Sequence, residues 1–221
     1  LMMNEKGIEW EWQFADKKGQ HYNHQKANMM GYTWVWRMDD DTIAEPDVLE
    51  KLYAVTGPDI GGVGGAILTP PFQKGIKATS KIEDVAYEPN IQWDYIKDTH
   101  EVDHLHCSFL YRAGVHDYDL RLTRIAHREE TLFSYGIKQK GYKLLVTPVV
   151  TWHLKNRAGG IRDGEFEMFQ HDEEIFQSVL KNSVDFKDKT IVVLDNGMGD
   201  HIVFKHVLPD IKNPVVFSCY N

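Results

Sequence analysis

The sequence predicts an α/β protein: a sheet flanked by helices, with the beginning of a further βαβ unit behind it. Three observations carry this. The apolar run Tyr32 to Met38 is rich in aromatic and β-branched residues and ends abruptly in Asp39-Asp40-Asp41, as a buried strand does when it delivers polar groups to the rim of a sheet. Strand-like and helix-like patterns then alternate along most of the chain. Near its end, Thr190 to Asp195, the glycine loop Asn196-Gly197-Met198-Gly199-Asp200, a helix over 201–211 and the strand Val215 to Ser218 start a strand–loop–helix–strand series afresh.

Taken in order, Gly7 to Phe14 alternates in a strand-like way, with Ile8, Trp10, Trp12 and Phe14 on one face, and Lys17-Lys18-Gly19 reads as a turn. His21 to Met30 lacks β-branched residues and sets Ala27 and Met30 three apart, which suits a helix packed on the next strand and stopped by Gly31. After the Asp-bearing strand, a helix runs from about Pro46 to Val55, with Val48, Leu49, Leu52 and Val55 as its apolar stripe. The glycine-rich Ile60 to Leu68 lacks both the Lys-Ser/Thr of a P-loop and the spacing of the dinucleotide fingerprint, so it reads as a strand that lets other backbone approach closely. From Thr69-Pro70-Pro71 to about Val102 the pattern is irregular, and Tyr87, Trp93 and Tyr95 there suit either a sugar-stacking surface or an ordinary satellite cluster.

His104 to Arg112 again reads as a strand, with His104 and His106 sharing a polar face near the site rather than forming a metal pair of their own. His127 to Tyr142 reads as a helix with Leu132, Phe133 and Ile137 inward, Glu129 and Glu130 in its first turn, Lys138 and Lys140 at its negative end, and Gly141 as its stop. Leu144 to Leu154 is a β-type run interrupted by Pro148, hence two short strands or an edge, with His153 directly behind it. Asn156 to Glu167 reads as a basic loop and Phe166 to Leu180 as a helix facing a core with Phe169, Ile175, Phe176 and Val179. A domain boundary is expected near Asp185, giving units 1–185 and 186–221.

Composition narrows the function classes. With 221 residues and 42% hydrophobic content the chain can bury one full core and part of a second. A formal charge of -8 argues against nucleic acid as a partner, whose phosphates bind basic surfaces. The two cysteines, Cys107 and Cys219, are too few for a disulfide framework and sit in no metal-type pair, which fits a cytoplasmic protein. No apolar run approaches the roughly 20 residues of a membrane span, and no signal-peptide pattern is present.

Chemistry concentrates in the acids. Asp or Thr before the Pro46 helix offers caps, yet one cap accounts for one acid, not three. Three adjacent carboxylates repel one another unless a cation sits among them, so Asp39 and Asp41, two apart and therefore on one face of an extended chain, are candidate metal–diphosphate ligands. Arg37, Asp40 and His24 join Asp39 as candidates for binding the diphosphate-bearing ligand. Glu129 and Glu130 serve either the helix dipole or general-base chemistry.

These pieces in this order resemble the GT-A glycosyltransferases of family 2. Arg37-Met38-Asp39-Asp40-Asp41 is similar to that family's DxD strand end, followed by its proline-bearing helix at Glu45-Pro46-Asp47-Val48-Leu49. Glu129-Glu130 with Gly141-Tyr142-Lys143 downstream looks like its "ED" helix, and Pro148 to His153 like the strand behind it; the likeness covers roughly Ile8 to Leu154. It implies a Rossmann-like mixed sheet lacking the usual first strands, which the rest of a larger protein would supply. It further implies an inverting hexosyltransferase moving a sugar from a nucleotide diphosphate to a glycan or other hydroxyl acceptor. Asp39 would contact the nucleotide, Asp41 and His153 would hold Mn2+ or Mg2+, and Glu130 would be the catalytic base beside Glu129. The closing stretch looks like the amino-terminal loop of GT-B transferases of the heptosyltransferase kind. The alternative from another class is a non-catalytic carbohydrate-binding or scaffold module that retains the fold.

Overall fold

The computed structural model describes residues 18–70, 82, 96–154, 166–183, 190–194 and 214–218. The expected strand over 8–14, the aromatic residues Tyr87, Trp93 and Tyr95, the basic loop over 156–165, the glycine loop over 196–200 and the helix over 201–211 lie outside them. Two compact units emerge, Leu1–Gln177 and Ser178–Asn221.

The first unit is mixed α/β, a curled mixed sheet flanked by helices. Its elements are α1 (Gln20–Asn28), β1 (Trp34–Arg37), β2 (Thr42–Ala44), α2 (Val48–Ala54), β3 (Ile60–Leu68), β4 (His100–Val102), β5 (Phe109–Arg112), α3 (Glu129–Gln139), β6 (Lys143–His153) and the start of α4 (Phe166–Ser183). The strand order is β1-β5-β3-β6-β2, with β4 also pairing β6; β3 and β6 are parallel and the other pairs antiparallel. In the second unit β7 (Thr190–Leu194) and β8 (Pro214–Ser218) pair in parallel, from Thr190↔Pro214 to Leu194↔Ser218.

All nine residues of β3 are buried, and its glycines are there for close approach. A Cβ on Gly61 would collide with Ile137 and Tyr142, and one on Gly65 with the side chain and backbone of Val149. Bare backbone therefore lets α3 and β6 sit against the central strand. On the sheet, α2 buries Val48 and Leu52 with Ile60, Val63, Leu110 and Val149, and Trp34, Trp36 and Val55 pack against that cluster. Leu49 was expected in this stripe but is 40% exposed, because it falls one position off the 48–52–55 line. On α3, Leu132, Phe133 and Ile137 are buried as the periodicity predicts, and Phe133 stacks on Tyr118 with ring centroids 3.8 Å apart. Gly141 adopts φ 92 just beyond α3, the left-handed conformation of a helix stop.

Three expectations are corrected. Pro148 does not split the run over 144–154: β6 is one strand, and Pro148 stands where no neighbour needs its missing N–H. On one side β4 reaches only to Val146 and β2 begins at Thr151; on the other, the register with β3 shifts between Gly64↔Val146 and Ala66↔Val150. The strand at His104 starts only at Phe109, so His104 and His106 share no strand face. Helix α1 ends before Met30, which is 49% exposed, and its buried residues are His21 and Asn28 rather than an apolar pair. The face is polar because its partners are polar: Asn28 Nδ2 donates to His116 O at 2.9 Å, Gly114 N to Asn28 Oδ1 at 2.9 Å, and Gln25 Nε2 to Asp117 Oδ1 at 2.7 Å.

Candidate active site

Two strand registers build one rim. The antiparallel ladder of β1 and β5 places Arg37 opposite Phe109, so two residues further out Asp39 stands across from Cys107. The ladder of β2 and β6 places Thr42 opposite His153, and Leu154 N donates to Asp41 O at 2.8 Å just beyond it. The three aspartates thus form the turn between β1 and β2, closed by Thr42 Oγ1 donating to Asp39 O at 2.6 Å. They do not cap a helix: α2 begins at Val48, and no side chain caps its first turn. Asp40 is exposed, and Asp41 Oδ1 lies 3.1 Å from His153 Nε2.

The other half comes from α3, whose start is tied to α4. Buried Asp172 accepts Thr123 N at 2.7 Å, Thr123 Oγ1 at 3.0 Å and His127 N at 2.9 Å, fixing the turn that leads into α3. From there Glu129 and Glu130, both buried, reach different partners. Glu129 Oε1 takes Arg37 Nη1 at 2.5 Å and Gln20 Nε2 at 3.1 Å, with His24 Nδ1 at 3.3 Å. Arg37 Nη2 in turn reaches Asp39 Oδ1 at 2.5 Å, so one buried guanidinium joins the acid turn to the helix start. Glu130 Oε1 lies 2.6 Å from His106 Nδ1.

The electrostatics follow from these contacts. Burial opposes the charge on Arg37, but Glu129 and Asp39 outweigh it and hold the guanidinium firmly protonated. Burial likewise pushes the Glu129 carboxyl up, and Arg37 and His24 more than offset it, leaving it below the ordinary carboxylate range. For Glu130, His106 and Arg37 overcome burial and hold it well below that range. Both acids are therefore ionised at neutral pH, and they divide the work: Glu129, with a fully buried side chain, anchors Arg37, while Glu130 keeps 10% of its side chain exposed beside the 25% exposed His106.

A metal fits the donor chemistry at the rim. One ligand atom each from Asp39, Cys107 and His153 lies within 4.8 Å of the others. Ligands that share an ion at roughly 2.0–2.3 Å stand about 3–4 Å apart, so an inward shift of the order of 1 Å would close the set. Asp41 sits behind His153 rather than in that set and holds its ring, the place of an outer carboxylate. Neither a protein-family model nor a curated protein matches the chain.

Of the expected site residues, Arg37, Asp39, Asp41, Glu129, Glu130, His24 and His153 are brought to this rim, and Asp40 is exposed. Cys107 was missed, and His106, expected near the site, was not matched to Glu130. The signal that finds them is the register of β1 against β5, which needs the pairing of strands about seventy residues apart.

His104, three residues before Cys107, is fully buried, and neither ring nitrogen bonds any group among the described residues. Burial, then His106, lowers its pKa from 6.5 to about 4. Between those values the unfolded chain binds more protons than the folded one, so stability present above pH 6.5 is lost as pH falls toward 4, by about 3 kcal/mol. His104→Leu is expected to flatten that limb in urea denaturation between pH 7 and 4; an unchanged slope would refute the assignment.

Proposed function

We propose that the chain is a metal-dependent inverting glycosyltransferase of the GT-A, family 2 kind, moving a hexose from a nucleotide-diphosphate sugar to a hydroxyl acceptor such as a glycan. The single observation that carries this is the meeting of the acid turn, the Glu129-Glu130 helix start and the His153 strand end at one rim through Arg37 and the Asp41–His153 contact. A mixed sheet whose strand ends deliver those groups together is consistent with the GT-A assignment.

Chemistry supports the same reading. Inversion at an anomeric carbon needs one carboxylate to take the proton of the attacking hydroxyl, and Glu130, with a tenth of its side chain exposed, is the carboxylate we assign to that step; His106 holds it ionised and lowers its basicity until the hydroxyl displaces that contact. A divalent cation, Mn2+ or Mg2+ by the family likeness, would be held by Asp39 and His153 with Asp41 behind, and supplies charge stabilisation to the departing diphosphate. Arg37 fixes the separation of the two acid groups by binding Glu129 and Asp39 at once.

Isothermal titration of UDP and GDP with and without a divalent ion, Mn2+, Mg2+ and Zn2+ in turn, tests the proposal. Binding of one nucleotide only in the presence of the ion is expected. Binding indifferent to the ion would sink it.

A further inference from the structure

We infer that Cys107 supplies a sulfur ligand to the rim cation, so that the centre selects a thiophilic ion of the zinc class over the hard ions Mn2+ and Mg2+. The inference rests on the cation-dependent reading above and concerns which ion the site holds.

Three observations converge. Cys107 is fully buried, yet its neighbours are ionic: its sulfur lies within 4.8 Å of a carboxylate oxygen of Asp39 and a ring nitrogen of His153, and Asp39 is itself bound by Arg37. The residue sits at φ 59, left-handed for a non-glycine, in a tight turn closed by Ser108 N donating to His106 O at 2.7 Å. Trp36 Nε1 donates to Ser108 Oγ at 3.2 Å and fixes that turn to β1. A buried cysteine that served only as a small apolar filler would need neither the turn nor the carboxylate.

The donor set decides the ion. Asp39 offers oxygen, His153 nitrogen and Cys107 sulfur, three protein ligands from three chain segments, the number that a catalytic zinc site uses while keeping a position open for substrate. Mg2+ asks for oxygen in octahedral array, and sulfur gives Mn2+ little. Coordination breaks the Cys107 S–H bond and forms a metal–sulfur bond, and the proton leaves to buffer.

Titration of the full chain with Co2+ and Cd2+ tests this. The expected result is a sulfur-to-metal charge-transfer band in the ultraviolet that Cys107→Ser abolishes and Cys219→Ser leaves in place. The ratio of Zn2+ to Mn2+ affinity in Cys107→Ser should fall by more than about tenfold. Cadmium-113 NMR of the unaltered chain gives the same answer without a variant that must fold, because its shift reports sulfur ligation. Absence of a sulfur-ligated signal, or an unchanged affinity ratio, overturns the inference. Loss of nucleotide-sugar turnover would not register in either readout, so failure of the transferase proposal is seen separately.

Discussion

Glu130→Gln is expected to lower turnover of a nucleotide sugar by about a hundred- to ten-thousandfold, the range in which a positioned proton acceptor acts. The replacement keeps size and an oxygen for His106 Nδ1–H, so the contact at 2.6 Å has an acceptor still. What it removes is the negative charge that accepts a proton from the attacking hydroxyl. Donor affinity should stay as it was, because, of the groups assigned to donor and ion, Asp39 is held by Arg37 and His153 lies against Asp41. The measurement is the split between kcat and donor Kd. A variant that turns over at the original rate would remove Glu130 from catalysis and favour a binding module.

Arg37→Met should be the most damaging single change to stability, costing about 3–5 kcal/mol, because it leaves Glu129 charged, buried and without its cation. Methionine retains an apolar stem but none of the donors, and it removes the guanidinium that lies 5.4 Å from the centre of the Phe109 ring. In this chain the loss corresponds to a fall in Tm of roughly 10 °C. The pH dependence has a definite sign. In the parent protein the depressed Glu129 contributes stability that is present above the ordinary carboxylate range and lost as pH falls through its lowered folded value. In the variant, burial dominates and raises that value, so acidification protonates Glu129 and relieves it. The gap between the two proteins should therefore narrow as pH falls from 7 toward 4, as read by urea denaturation at each pH. A cost under about 1 kcal/mol would mean that the bridge from Asp39 to Glu129 is incidental.

Much of the fold was legible because local pattern and burial agreed. The all-buried glycine strand over 60–68 and the helix from Glu129 each carry their structure in their own residues, whereas Tyr32 to Met38, expected as a buried strand, is the short strand β1 at the end of the sheet order with only Arg37 buried. Legibility failed where tertiary partners rewrote the local rule. Met30 looked like the inward residue of α1, but His116, Asp117 and Gly114 reward Asn28 and Gln25 instead. Pro148 looked like a break, but the pairing on both sides of β6 steps around it. His104 to Ser108 alternates like a strand, yet its backbone is spent on a turn that presents Cys107. At the site, the aspartates and His153 could be named because each ends an apolar run, and Glu129 and Glu130 because they open a helix. Cys107 and the partner of His106 could not, since their roles exist only once β5 lies along β1.

The charge at this rim has a kinetic consequence. Among the described residues, Asp39, Asp41, Glu129 and Glu130 bring four negative groups to this rim with Asp40 exposed beside them, and the Arg37 guanidinium is already spent on two of them. A sugar nucleotide arriving alone would meet a repelling field, whereas a dication is drawn in. On the proposed reading, loading is compulsory in sequence: the ion seats first, and the diphosphate follows it into a rim whose sign has been reversed.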